Sequence, residues 1–169
     1  DSDAYRMWEV TGSAHTDLYT TLTGNADTGD DLTFADIKQK NDATPPFITC
    51  VIPVNDGPGQ WVANAAIASL DRWIRTGEPA PSAPLITLNA DQSDFELDDF
   101  GNAKGGIRTP HVDAPVATLR GTGQPPADAF CGLLGTTMRF DETKLAELYP
   151  DKQAYINAID AATDSAVEA

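Results

Sequence analysis

Residues 5–15, Tyr5-Arg6-Met7-Trp8-Glu9-Val10-Thr11-Gly12-Ser13-Ala14-His15, constrain the fold more than any other stretch of this chain. Tyr5, Met7 and Glu9 alternate with Arg6, Trp8 and Val10 in a run rich in aromatic and branched side chains, with no helix-period stripe, so the pattern predicts a strand. Gly12 admits a backbone conformation that other residues resist, and Ser13 and Ala14 are too small to crowd a neighbour. The segment thus predicts a strand that ends in a small-residue turn and delivers one accessible imidazole, His15. A neutral imidazole takes a proton from a hydroxyl and returns it to a leaving group, which is the general-base half of nucleophilic catalysis. The plain alternative is a loop histidine without a role, since the motif itself names no partner.

The best-defined helix follows residues 55–58. Asn55 or Asp56 is placed to cap it and Pro58 suits its first turn. Val62, Ala65, Ala66, Leu70, Trp73 and Ile74 recur at helical spacing until Gly77 stops it. That stripe predicts a helix packed on a sheet. Before it, 16–41 reads as a polar loop with at most a short helix at 31–37, and Phe47 to Ile52 as a short strand ended by Pro53. The proline-rich run 78–84 cannot continue a helix and divides the chain into a core part, 1–77, and a tail, 85–169. In the tail, Leu85 to Leu88, Asp94 to Leu97 and Val116 to Leu119 read as short strands. Asp141 caps a helix running to about Tyr149, and Asp151 caps a second one with Tyr155, Ala158, Ile159, Ala162 and Ala166 on one stripe. Both are expected to dock on the body.

With 26 acidic against 11 basic side chains and a net charge of −15, the chain disfavours nucleic acid and anionic membrane surfaces, which need clustered Lys and Arg. No run approaches the apolar length of a spanning helix, and no signal peptide is visible. Cys50 and Cys131 lie far apart in apolar segments without metal-ligand spacing, and read as buried free thiols in preference to a disulfide. The two histidines, His15 and His111, have no paired spacing, so no metal site is expected.

Several stretches resemble the C-terminal part of a bacterial alpha/beta-hydrolase domain family of mostly uncharacterised members. They are Cys50-Val51-Ile52-Pro53-Val54-Asn55-Asp56-Gly57-Pro58 with the helix behind it, Phe100 to Pro110 with Val112-Asp113-Ala114-Pro115-Val116-Ala117, Cys131 to Gly135, and Leu148-Tyr149-Pro150. The most specific piece is Gly105-Gly106-Ile107-Arg108-Thr109-Pro110. The resemblance implies an α/β fold: the last strands and last helix of a hydrolase sheet, then an extended tail with short strands and two C-terminal helices. It also implies a serine, acid, histidine order along the chain, with the histidine after the last strands. No Gly-x-Ser-x-Gly elbow occurs around Ser2, Ser13, Ser69, Ser82, Ser93 or Ser165. The chain is therefore expected to be the C-terminal part of a serine hydrolase, carrying His15 and inactive without the missing N-terminal part of the same polypeptide. The expected substrate is a small-molecule ester or related acyl compound, with no cofactor. The rival reading is a non-catalytic binding or structural module with a hydrolase-like fold.

Other candidates are weighed beside His15. Asn55 is either a cap or a substrate contact. Arg108 either binds a substrate carboxylate or pairs with Asp99 or Asp113. Asp17 sits too near His15 in sequence to serve as its triad acid, and a surface role is expected. His111 stands where the family resemblance leads one to expect an aromatic residue, and is expected to fill the same space with a polar edge. Gly101 to Gly106 opens no helix and is followed by no suitably placed lysine, so it is not a phosphate cradle.

Overall fold

The computed structural model describes residues 1–22, 49–125 and 129–168. The elements in chain order are α1 (Leu18–Leu22), α2 (Gly59–Thr76), α3 (Pro110–Asp113), β1 (Ala117–Arg120), α4 (Ala129–Leu133), β2 (Thr136–Arg139), α5 (Glu142–Leu148) and α6 (Lys152–Glu168). β1 and β2 pair antiparallel, with Ala117 opposite Arg139 and Arg120 opposite Thr136. The extended segment 53–56 lies along β2: the Thr137 amide donates to the Pro53 carbonyl, its hydroxyl to that of Val54, and the Asp56 amide to the Thr137 hydroxyl. Small buried clusters flank this ribbon, one of Leu18, Val54 and Leu134, the other of Val112, Ala117 and Leu119.

The expected strand over residues 5–10 is realised as a single parallel bridge between Val10 and Ile107. The segment is held by side-chain contacts: the Trp8 indole donates to the Pro81 carbonyl, Arg6 Nε donates to the Ala80 carbonyl, and the Arg6 guanidinium lies 5.4 Å from the centre of the Trp73 ring. The expected strands at 85–88 and 94–97 likewise reduce to the bridges Ile86 to Gly105, Leu88 to Phe95 and Leu97 to Ala103. The strand expected at Val116 to Leu119 forms one residue later, as β1. Residues 31–37, and Phe47 and Ile48 of the remaining strand candidate, lie outside the described residues, whereas 49–52 form no strand.

Gly77, at φ 74°, ends α2 in the left-handed conformation, as its sequence requires. The N-terminus departs from expectation. Pro58 occupies the cap position and no side chain caps the helix. Asn55 is instead turned inward, and the Asp56 carboxylate pairs with Arg139 at 3.2 Å. The expected burial of the helix stripe on a sheet is also corrected. Only Val62 is buried along α2, while Leu70 and Ile74 are 53% and 76% exposed, because no sheet lies against that side among the described residues.

The reading of the cysteines as free thiols is overturned: Cys50 and Cys131 form a disulfide. It tethers the segment leading to Asn55 to α4, beside the Leu18, Val54 and Leu134 cluster. At the C-terminus, the Asp141 carboxylate accepts from the Lys144 amide and the Asp151 carboxylate from the Ala154 amide, so both predicted caps form. α6 packs on α3, and Tyr149, in edge contact with Tyr155, donates its hydroxyl to the Pro115 carbonyl.

Candidate functional site

Gly12, at φ 78°, turns the chain after Val10, and the Ser13 amide and hydroxyl both return to the Val10 carbonyl. This closes a tight loop in which the Ser13 hydroxyl is committed to the backbone. His15 follows, exposed, on the wall of a 380 Å³ cleft shared with Trp8, Asp17 and Gln60. Behind it the Thr16 amide donates to the Leu133 carbonyl and the Leu18 amide to that of Asn55, so the histidine stands between the closed Ser13 turn and an anchored segment at 16–18.

Asn55 is fully buried and provides much of that anchoring. Its side-chain amide donates to the carbonyls of Gly12 at 3.0 Å and Arg120 at 3.1 Å, and its oxygen accepts from the Gly57 amide at 2.9 Å. Its own amide donates to the Leu134 carbonyl. Gly57 approaches the Gly12 carbonyl so closely that a side chain there would run into it. One asparagine thus joins the histidine turn, the entry to α2 and the β1–β2 ribbon.

Asp17 corrects another expectation. It is 4% exposed, and its carboxylate caps α1 by accepting from the Thr20 amide at 2.7 Å. An aspartate directly before Leu18 is itself a capping signal, which the sequence reading passed over. Gln60 was not singled out at all. It lines the same cleft, and its side-chain oxygen is buried without a hydrogen-bond partner among the described residues.

Arg108 lies elsewhere. Its Nε donates to Asp113 at 2.6 Å, one terminal nitrogen to Asp98 at 3.1 Å and to the Val112 carbonyl, and the other to the Ala103 carbonyl. The acidic partners are thus Asp98 and Asp113 rather than Asp99. Neither Arg108 nor Asn55 lines the His15 cleft. The preceding glycine pair serves close approach within the chain: a side chain on Gly106 would meet Ile86, the Thr11 hydroxyl and the Glu9 carbonyl. His111, in α3, is partly buried, and that burial pushes its pKa below the ordinary value, while the carboxylates of Asp56 and Asp17 pull weakly upward.

Among the described residues, no group of three or more His, Cys, Asp or Glu side chains is placed to hold a metal ion. No helix among them is long and apolar enough to cross a membrane. The cleft, in sum, offers one exposed imidazole, a buried capping carboxylate and an unpartnered amide oxygen. Searches of curated proteins and of solved structures return no match. The family model described as "Alpha/beta hydrolase domain" matches residues 1–169, and the chain belongs to that family.

Proposed function

We propose that this chain supplies His15 as the general base of a serine hydrolase that cleaves an ester or related acyl bond, with the nucleophile and the triad acid on residues outside this sequence. The observation that carries the reading is the exposed imidazole at the end of a glycine turn, on the wall of a cleft, in a chain of the alpha/beta-hydrolase family. In such enzymes the histidine comes last in the chain order of the triad. The imidazole takes the proton of the attacking serine as it adds to the carbonyl carbon and hands that proton to the leaving group. It then activates water against the acyl-enzyme. The triad acid orients the ring and stabilises the imidazolium, and backbone amides stabilise the oxyanion. None of the six serines here lies in a nucleophile elbow, which supports an external nucleophile.

The 169-residue chain by itself is therefore expected to hydrolyse activated esters no faster than buffer, because triad members act as a unit. Turnover by this chain alone that disappears in His15→Ala would place a complete site within it and contradict the proposal.

A further inference from the structure

We infer that Gln60 is a specificity-determining residue of the His15 cleft, where its amide oxygen receives a hydroxyl carried on the short apolar chain of a neutral substrate. The inference rests on the proposed role of His15 and adds the class of ester that the cleft takes.

Part of the cleft lining is apolar and fixed. Trp8 and Val10 contribute from the segment before the histidine turn, and Val62, Ala63 and Ala66 from α2. Trp8 is half-buried, and its indole N–H, the one donor it has, is spent on the Pro81 carbonyl at 2.9 Å. The ring therefore offers the cleft only apolar surface. The two alanines are small enough to leave 380 Å³ open beside His15. Walls of this kind suit a short alkyl chain.

The polar groups of the lining divide into spent and unspent. The Ser13 hydroxyl donates to the Val10 carbonyl at 2.9 Å, and the Asp17 carboxylate is engaged as the cap of α1. Gln60 is different: its side-chain oxygen is enclosed and has no hydrogen-bond partner among the described residues. A buried acceptor left unpaired is destabilising, so one retained on the wall of a cleft points to a donor brought by the ligand. The terminal amide torsion of glutamine is soft, and the oxygen turns readily towards a donor seated beside it.

Charge selects the rest of the chemistry. No Lys or Arg is among the described lining residues, Asp17 brings a carboxylate, and the chain carries −15. A substrate bearing a carboxylate or phosphate finds no counter-charge there. An ammonium would lose its water against an uncharged acceptor, whereas a hydroxyl sheds little. An amide N–H would bring a carbonyl with it, and the Trp8 and Ser13 donors that could receive that carbonyl are already engaged. A neutral hydroxyl on an apolar chain satisfies every part of the lining.

NMR titration of the 169-residue chain with methyl pentanoate and methyl 3-hydroxypentanoate tests this, read on the Trp8 indole N–H and the His15 ring. Both esters should shift these resonances saturably. The hydroxy ester should bind about tenfold tighter, the ratio that one hydrogen bond supplies. In Gln60→Leu the two esters should bind alike, with a melting temperature no lower than that of the wild type, because the lost oxygen had no partner. Gln60→Met, which keeps the side-chain length, should behave the same way. Ala63→Phe, at an exposed lining position, should weaken both esters, and monomethyl glutarate should bind worst. Equal binding of the two esters by the wild type, or a preference that survives both Gln60 variants, would overturn the inference. So would shifts that are absent or that Ala63→Phe leaves intact, or tightest binding by the glutarate or by methyl 3-aminopentanoate. Methanol release in the same samples reports separately on catalysis. Hydrolysis by this chain alone through His15 would sink the external nucleophile and leave the Gln60 preference standing. No preference in a chain whose complete hydrolase requires His15 would sink the Gln60 assignment alone.

Discussion

The side-chain amide of Asn55 donates to the carbonyl oxygen of Gly12 at 3.0 Å, fixing the turn that carries His15 from inside the protein. Asn55→Ala leaves the carbonyls of Gly12 and Arg120 and the Gly57 amide without their buried partner. It should cost about 3 kcal/mol in chemical denaturation. Asn55→Asp should cost more, since it sets an acceptor against those carbonyls. A substrate contact at this position would behave differently, with unchanged stability and a raised Michaelis constant.

Arg108 gives a parallel test at a less buried place. Its pairs with Asp98 and Asp113 are partly open to water, the three side chains being 26%, 17% and 35% exposed. Arg108→Ala should therefore destabilise by about 1–2 kcal/mol after allowance for solvent screening. Arg108→Lys should recover only part of that, because an ammonium cannot reproduce the guanidinium fork. A selective rise in the Michaelis constant for acidic esters, with stability intact, would instead assign Arg108 to substrate binding.

The disulfide closes a sequence separation of 81 residues. Loop-closure entropy over that span amounts to about 4.5 kcal/mol. Denaturation midpoints with and without a thiol reductant should differ accordingly, and thiol titration of the unreduced, unfolded protein should find no free cysteine. Two titratable thiols in the oxidised preparation would remove the bridge from the fold.

His111 ties stability to acidity. Burial holds its native pKa below the ordinary 6.5. Below 6.5 the unfolded chain therefore binds more proton at this site than the folded one, and stability falls as the pH drops. The contribution is fully present above 6.5 and is lost as the pH falls through the depressed native value. Urea midpoints measured across that window should fall less steeply for His111→Phe than for the wild type. Parallel profiles would remove His111 as a source of the dependence.

What the sequence made legible was local. Gly77 ends α2 as expected, and Asp141 and Asp151 cap α5 and α6, because each feature depends on residues within one turn. The exposed His15 after a glycine turn was legible for the same reason. Asn55 reads equally well as a cap or as a buried hub, and the choice is made by Gly12 and Arg120, both remote in sequence. The Cys50 to Cys131 bridge and β2, which gains its place by pairing with β1 and with residues 53–56, likewise depend on distant partners. The apolar stripe of α2 was read correctly as a pattern, but its burial on a sheet was not found among the described residues.

The central claim is that His15 is the general base, and acylation kinetics of the polypeptide from the complete reading frame test it most directly. His15 is exposed, so His15→Ala should leave the melting temperature unchanged. The acylation rate on an activated ester should nevertheless fall by about 10³-fold or more, as expected when a triad member is lost. Hydrolysis by a folded His15→Ala variant at the wild-type rate would contradict the account.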